Sequence, residues 1–213
     1  MKKIFAVVIT SVLLISTTFA FGLGAGAKGT LGMNFGANDS IAESFQNITK
    51  DTAFDAGGGV YVYMSFLPFL GVQAEANLIS SSVSFASASN AELVQTYKQL
   101  LLDLSPMFWS VYDFWIFQLA FGVGPNFSIA LAELSDLQSA TKDSFTLGLI
   151  CGADLKIFFG DHLGLVIGGR FICEWDKTDV PVTVAGYDTG TSYPTVEFPR
   201  RTLYGSVGLE LKI

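Results

Sequence analysis

The sequence is short of charge, cysteine, proline and histidine. Only 15% of its 213 residues are Asp, Glu, Lys or Arg, and it contains 2 Cys, 6 Pro and 1 His. Soluble domains carry about 25% charged residues, so this composition is unusual for a solvated surface. Two cysteines exclude a disulfide-stapled scaffold, and the net charge of −7 excludes a basic nucleic-acid binder. No later segment has the apolar run of about 18 residues that a membrane-spanning helix needs.

Apolar and aromatic residues are abundant instead. Hydrophobic residues make up 50% of the chain and aromatic residues 14%, with 19 Phe and 22 Gly. Intrinsic disorder is excluded, because disordered segments have few aromatic residues and high charge. The mean hydropathy of +0.47 indicates a membrane protein, although no spanning helix is evident.

The first twenty residues have the pattern of a secretory signal peptide. Lys2 and Lys3 precede an apolar run over Ile4–Ile15, and Thr18 and Ala20 place small residues before a cleavage site. We expect cleavage after Ala20, and the alternative is an N-terminal membrane anchor. Because residues 1–20 contain two lysines and no acid, cleavage changes the net charge from −7 to −9.

Strict alternation begins directly after this segment. From Phe21 to Gly36, the odd positions are apolar in seven of eight places, and the even positions carry no apolar side chain larger than glycine. A period of two is typical of a β-strand, and a helix cannot keep the two classes apart. The same pattern recurs along the chain and predicts eight strands, at 21–36, 56–66, 71–78, 98–108, 115–128, 145–157, 163–175 and 203–213.

The connections between these strands alternate in length. Short connections are predicted near Leu67–Leu70, Ser110–Asp113 and Gly160–His162. Long connections are predicted near Ala37–Phe54, Ile79–Thr96, Ile129–Asp143 and Asp176–Pro199, with a short loop helix around Ala91–Val94. An even strand number with this alternation is typical of a bacterial outer-membrane barrel, with short periplasmic turns and long external loops. We therefore predict an all-β fold, in which residues 21–213 form a single eight-stranded antiparallel up-and-down transmembrane barrel.

Side-chain chemistry indicates which face of the barrel meets lipid. The polar face is mostly Gly, Ser, Thr, Asn and Gln, which suits a narrow filled interior better than a solvated surface. Aromatic residues are predicted to form two belts at the membrane interfaces. The belt beside the short turns comprises Phe66, Phe69, Phe108, Trp109, Tyr112, Phe114, Trp115, Phe158 and Phe159, and the belt near the long loops comprises Phe35, Phe54, Phe127, Phe145 and Trp175. The alternative is a soluble periplasmic barrel with an apolar core.

The mature chain resembles the small eight-stranded bacterial outer-membrane barrels, the group of the OmpA membrane domain, OmpX and OmpW. The resemblance covers residues 21–213 and includes Phe66–Gly71 at the first turn, Gly122–Pro125 after the second, and the alternating final strand. It implies an outer-membrane location, contact with outer-membrane lipid and insertion by the outer-membrane assembly machinery. Members of the group commonly end in an aromatic residue, whereas this chain has Ile213.

Few charged residues fall on the predicted interior face. Opposite charges enclosed together must pair, because a lone buried charge costs several kcal/mol. We predict an interior charge network in which Lys28, Glu75, Asp103, Asp154 and Arg170 lie at similar heights. This network is either a structural plug or a gate, and the small lumen of eight strands favours the plug. The full set is Lys28, Glu75, Asp103, Asp154, Lys156, Arg170 and Glu174.

The sequence offers no catalytic, cofactor-binding or metal-binding constellation. The single histidine, His162, falls in a predicted turn, so a hydrolase with a histidine base is not expected. Cys151 and Cys173 fall on the predicted lipid face of adjacent strands. Free thiols are the favoured state, and a strained cross-strand disulfide is the alternative.

The predicted long loops are acidic and indicate the expected function. We expect a structural or surface-interaction role through these loops, with a possible extracellular ligand. The alternative is a small porin-like channel for small or apolar solutes, which an opening in the wall lined by inward-facing Ile116, Ile150, Val166 and Ile172 would favour. The loop acids are Asp39, Glu43, Asp51, Asp55, Glu92, Glu133, Asp136, Asp143, Asp176, Asp179, Asp188 and Glu197.

Overall fold

The computed structural model describes residues 22–35, 48–87, 90–133, 145–181 and 195–213. These residues form eight β-strands that follow one another around a closed antiparallel barrel. The predicted signal peptide, residues 1–20, lies outside the described residues. The strands are β1 Gly22–Asn34, β2 Ile48–Leu67, β3 Leu70–Ser87, β4 Asn90–Phe114, β5 Phe117–Glu133, β6 Phe145–Phe159, β7 Leu163–Pro181 and β8 Thr195–Lys212. None of the described residues forms a helix long and apolar enough to cross a membrane.

The register fixes the inclination of the strands. Starting from Leu23 and following cross-strand partners once around the barrel, the path returns to β1 at Met33, ten residues further along. A barrel closes with such a stagger only if its strands tilt by about 35–45° from the axis. At this strand number the interior is just wide enough to be filled by side chains.

As the alternation predicted, the barrel exposes apolar side chains on its outer surface and encloses polar ones. Large apolar side chains such as Val60, Phe121 and Leu209 are exposed on the outer surface, whereas polar and charged side chains are buried inside. One member of the predicted belts, Trp109, was assigned to the wrong face. Trp109 is 1% exposed and points into the interior, because its neighbour Phe108 points outward.

One predicted short turn differs from the structure, and so do the bounds of all four predicted long connections, because strands extend into each of them. The second short turn is at Trp115 and Ile116, not at Ser110–Asp113, because β4 continues to Phe114 and pairs there with Phe117. Trp115 adopts a φ of 56° in this turn, and Gly160 has a φ of 76° in the third short turn. The first and third short turns lie where they were predicted.

The predicted long connection over Ile79–Thr96 is mostly strand. β3 extends to Ser87 and β4 begins at Asn90, so Ala91–Val94 is strand and not helix. The apolar residues Ile79 and Val83 point inward here, and serines occupy the outward positions between them. The apolar outward pattern used to locate strands is therefore reversed in this segment.

Several acids assigned to loops are also in strands. Asp51, Asp55, Glu92, Glu133, Asp176, Asp179 and Glu197 lie within strands, whereas Asp39, Glu43, Asp136, Asp143 and Asp188 lie outside the described residues. The most consequential of these is Asp55, which is fully buried in β2 and faces the barrel interior.

Candidate functional site in the barrel interior

Four charged residues at mid-height form what we call the central cluster: Lys28, Glu75, Asp154 and Arg170. Arg170 places Nη2 2.6 Å from Glu75 Oε1 and Nη1 2.6 Å from Asp154 Oδ1. Lys28 donates to the other Glu75 oxygen. Gln73 adds a 2.6 Å hydrogen bond to Glu75 Oε1. Two cations and two carboxylates are thus enclosed together, which balances their charge within the cluster.

Arg170 is held from its other side by packing. Its guanidinium lies 4.9 Å from the centre of the Trp109 ring, a distance suited to a cation–π contact. Gly152 is the cross-strand partner of Arg170. A Cβ on Gly152 would lie 2.6 Å from Arg170 Cδ, so the arginine occupies the space that a larger residue at 152 would fill.

A second group, the loop-side cluster, surrounds Arg200 and contains Asp55, Asp103 and Glu174. Arg200 Nη2 lies 2.9 Å from Asp103 Oδ2, Nη1 lies 2.9 Å from Glu174 Oε1, and Nε lies 3.7 Å from Asp55 Oδ2. Three carboxylates therefore face one guanidinium. Asp55 Oδ1 and Glu174 Oε2 are buried with no hydrogen-bond partner in the described part of the chain.

Neutral hydroxyl groups complete the loop-side cluster. Tyr204 donates to Asp55 Oδ2 at 2.8 Å and also contacts Arg200. The Ser128 hydroxyl lies 2.6 Å from both Asp103 Oδ1 and Glu174 Oε1. These contacts connect β2, β4, β5, β7 and β8 at one level of the interior.

A third group, the turn-side cluster, consists of Lys156, Glu210, Tyr61 and Tyr63. Lys156 Nζ lies 2.6 Å from Glu210 Oε2, to which Tyr61 also donates at 2.8 Å. The ammonium lies 4.7 Å from the Tyr63 ring centre. Below this cluster, a cavity of about 250 Å³ opens toward the short turns.

All seven charged residues singled out from the sequence point into the interior, each with 6% or less of its surface exposed. The structure divides them among the clusters and does not put all five of the expected residues at one level. Asp103 joins Glu174 in the loop-side cluster, and Lys156 lies in the turn-side cluster. The other four, Lys28, Glu75, Asp154 and Arg170, form the central cluster.

Three charged partners were missed by sequence reasoning. Asp55 was counted among the loop acids, and Arg200 directly follows a segment assigned to a loop. Glu210 stood on the polar face of the last strand without being counted as a charge partner. The sequence did contain a signal for the inward orientation of Arg200. Thr202, Tyr204 and Ser206 follow it at every second position of β8 and are buried as well.

Apolar side chains fill the space between the charged clusters. Trp109, Leu101, Ile79, Ile150 and Ile172 belong to one buried cluster inside the barrel. Val166 is also buried, whereas Ile116 lies exposed in the second short turn and does not face the interior. Three of the four apolar residues expected to face inward therefore do so.

The pairing of β4 with β5 is interrupted between Leu104 and Phe108. The two strands pair at Leu104 with Phe127 and again at Phe108 with Val123, and a proline stands midway in each intervening segment. Pro106 and Pro125 have no N–H to donate to a ladder. Inside the break, Ser105 donates a 2.6 Å hydrogen bond to Asn126.

The remaining candidate groups lie apart from the clusters. His162 is exposed in the third short turn, with Nδ1 3.1 Å from the Lys212 carbonyl oxygen. Cys151 and Cys173 are free thiols, and their cross-strand partners are Phe171 and Leu149 rather than each other. Within the described ranges, no group of three His, Cys, Asp or Glu residues is placed to hold a metal ion.

A closed eight-stranded antiparallel barrel with an apolar outer wall and a polar, filled interior defines the class of small transmembrane-type β-barrels. The chain has this fold in common with the outer membrane protein OprG from Pseudomonas aeruginosa, with a TM-score of 0.66 and 15% identity over 90% of this chain and 96% of that one. It also aligns with the outer membrane protein AlkL, with a TM-score of 0.48 and 16% identity over 91% of this chain and 90% of that one. No protein-family model and no curated protein matches the sequence.

The fold is that of the small eight-stranded outer-membrane barrels, as the resemblance implied.

Proposed function

We propose that this protein is an exported outer-membrane barrel with a closed interior, and that it acts as a structural or surface-interaction protein through its acidic external loops. The observation that carries this proposal is the set of ion pairs that bridges the lumen. Glu75 on β3 pairs with Arg170 on β7, and Asp103 on β4 pairs with Arg200 on β8. Strands four apart face each other in an eight-stranded barrel, so both pairs cross its full width.

The energetics of these pairs favour a plug over a gate. Breaking a buried ion pair by removing one partner typically costs about 3–5 kcal/mol. Opening a water path would require several such contacts to separate in two clusters at once. Apolar packing around Trp109 fills the space between them, so few alternative partners are available to the separated charges.

The proposed location is supported by the outer wall and by the first twenty residues. Exposed Leu, Val and Phe side chains on the described strands would be unfavourable in water and favourable in lipid. The predicted signal peptide, cleaved after Ala20, would direct the chain to export, and the outer-membrane assembly machinery would then insert it. The proposal includes no catalytic activity, since His162 is exposed in the third short turn and is not part of the interior clusters.

The test is solute uptake by liposomes that contain the purified, refolded protein. A closed barrel should give swelling rates in small sugars equal to those of protein-free liposomes. Resistance of the barrel to added protease verifies that the protein has inserted into the liposomes. Swelling that increases with the amount of wild-type protein would contradict the closed-interior proposal.

A second candidate function is passage of small apolar solutes through the wall. The break at Pro106 and Pro125 supports it, because a depression of about 540 Å³ on the outer wall is lined there by Val72, Ala74 and Met107 as well as both prolines. Met107 also lines this depression, and its side chain is 2% exposed and faces the interior, so it separates the depression from the lumen.

The wall-passage candidate predicts a distinct result. Replacing Pro106 and Pro125 with valine restores two backbone donors and should close the break. Uptake of an apolar solute, followed as loss from the outer medium, should then fall, while sugar swelling stays at background. Equal uptake by wild type, double variant and protein-free liposomes would eliminate this candidate.

A further inference from the structure

The loop-side aromatic belt has a polar interruption on β3 and β4. Phe54 of β2 belongs to this belt and is 48% exposed. Its cross-strand partner on β3 is Ser82, and the partner of Ser82 on β4 is Lys98. In this cross-strand row on the outer wall, the aromatic ring of Phe54 is therefore followed by the hydroxyl group of Ser82 and the ammonium group of Lys98.

The phase of both strands places these side chains outside the barrel. Ile79, Ser81 and Val83 are buried in the interior, so Ser80 and Ser82 point outward. Lys98 is exposed between buried Tyr97 and Gln99. We call Ser80, Ser82 and Lys98 the outer polar patch.

This patch sits at the edge of the apolar wall. Toward the short turns, Ser80 pairs with Leu100, and the next outward pair is Leu78 with Leu102. Toward the loops, the next outward pair is Ser84 with Thr96, whose hydroxyl oxygens are 3.0 Å apart. The outer polar patch therefore marks the level at which the wall changes from apolar to polar, where lipid headgroups lie.

The groups of the patch have unused hydrogen-bonding capacity. Within the described part of the chain, Lys98 forms no ion pair, and the Ser80 and Ser82 hydroxyls form no side-chain hydrogen bond, whereas Ser84 already pairs with Thr96. Directly opposed side chains on neighbouring strands have Cβ atoms about 4.5–5.5 Å apart. Lys98 and Ser82 can therefore donate to the same phosphate group.

We propose that Ser80, Ser82 and Lys98 bind the phosphate of a lipid headgroup in the outer leaflet. This inference rests on the proposed outer-membrane location. The ligand is a lipid rather than free phosphate because Leu78 and Leu102 directly below provide an apolar surface for its acyl chains. Attraction by the protein's overall charge cannot produce such binding, since the mature chain is predicted to carry a net charge of −9.

Arg201 provides a matched control. It is also exposed on the outer wall, yet its neighbours across the adjoining strands are Cys173 and Phe35, which offer no hydroxyl group. Arg201→Gln removes one positive charge from the same rim as Lys98→Gln does. Ser82→Ala is a second test variant that leaves the charge unchanged.

The experiment is a calorimetric titration of the refolded barrel in a neutral detergent with three probes: bisphosphorylated lipid A, the same lipid without phosphates, and inorganic phosphate. Only the phosphorylated lipid should bind. Lys98→Gln should weaken the binding of the phosphorylated lipid about tenfold or more, as expected for loss of a charge-assisted hydrogen bond. Ser82→Ala should weaken it less, and Arg201→Gln should leave it near wild type.

Equal binding of the phosphorylated and dephosphorylated lipids would overturn the proposal, as would equal losses in Lys98→Gln and Arg201→Gln. Tight binding of inorganic phosphate alone would overturn the lipid assignment. Failure of the barrel to insert into phosphatidylcholine vesicles would instead refute the proposed membrane location. If the barrel inserts but its lipid binding does not depend on phosphate, only the proposed phosphate binding by the outer polar patch is refuted.

Discussion

Glu75 of β3 and Arg170 of β7 meet across the barrel, with Oε1 and Nη2 2.6 Å apart. The two residues are 95 positions apart in the chain, and only closure of the barrel brings them together. The same arginine also contacts Asp154 on β6. This relationship makes Arg170 the residue whose loss should be most costly in the central cluster.

Arg170→Leu should lower the free energy of unfolding by about 3–5 kcal/mol, because it leaves Glu75 and Asp154 short of a buried positive partner. Urea titration of the barrel in lipid vesicles measures this change. The triple variant Glu75→Leu, Asp154→Leu, Arg170→Leu should recover part of the loss, although it leaves Lys28 without its partner. A single variant as stable as wild type would show that the cluster contributes little.

Gly152→Ala should destabilise the barrel by about 1–3 kcal/mol, since the added methyl must displace the Arg170 side chain. Gly205→Ala is the matched control. Gly205 is also in a strand, but nothing lies within 4 Å of the position that its Cβ would take. Unfolding of the two variants in parallel checks this prediction, and equal stabilities would contradict the tight placement of Arg170.

Asp55→Asn should be tolerated better than Glu75→Gln. Asp55 shares one guanidinium with two other carboxylates, so its neutralisation relieves repulsion, and an amide oxygen can still accept from Tyr204. Glu75 accepts from both Lys28 and Arg170, and its neutralisation leaves an excess of positive charge. The midpoints of urea unfolding rank the two variants, and the opposite order would refute this charge balance.

The three tryptophans should respond differently to brominated lipids. Trp109 is 1% exposed and faces the interior, whereas Trp115 is 97% and Trp175 62% exposed on the outside. In single-tryptophan variants with phenylalanine at the other two positions, lipid bromine should quench Trp115 and Trp175 and spare Trp109. Strong quenching of Trp109 would show that β4 has the opposite phase.

Much of this fold follows from the two-residue period of the sequence. Leu23, Ala25 and Ala27 alternate with glycine and Lys28, and that pattern was enough to predict β1 and its inward face. The prediction failed where apolar side chains point inward and polar ones outward, as with Val83 and Ser82. Periodicity identifies two faces but does not say which one is lipid-exposed above the membrane edge.

The interior pairs were predictable only in part. Charge on the inward phase identified Glu75 and Arg170, because buried charges require partners. The division into three clusters depends on strand tilt. With a ten-residue stagger, residues at equal positions along different strands lie at different heights in the barrel. Asp103 was therefore expected beside Glu75, while in the structure it pairs with Arg200, a residue that had been placed at a loop boundary.

The most direct test of the closed interior is single-barrel conductance in a planar lipid bilayer. The experiment compares wild type with a variant in which Glu75, Arg170, Asp103 and Arg200 are all replaced by alanine. This variant lacks both pairs that span the lumen and keeps the net charge unchanged. Wild type should give no conductance steps, and the variant, if it inserts, should give steps that are ohmic and stable. Regular steps from wild type of the same size as those from the variant would contradict the account.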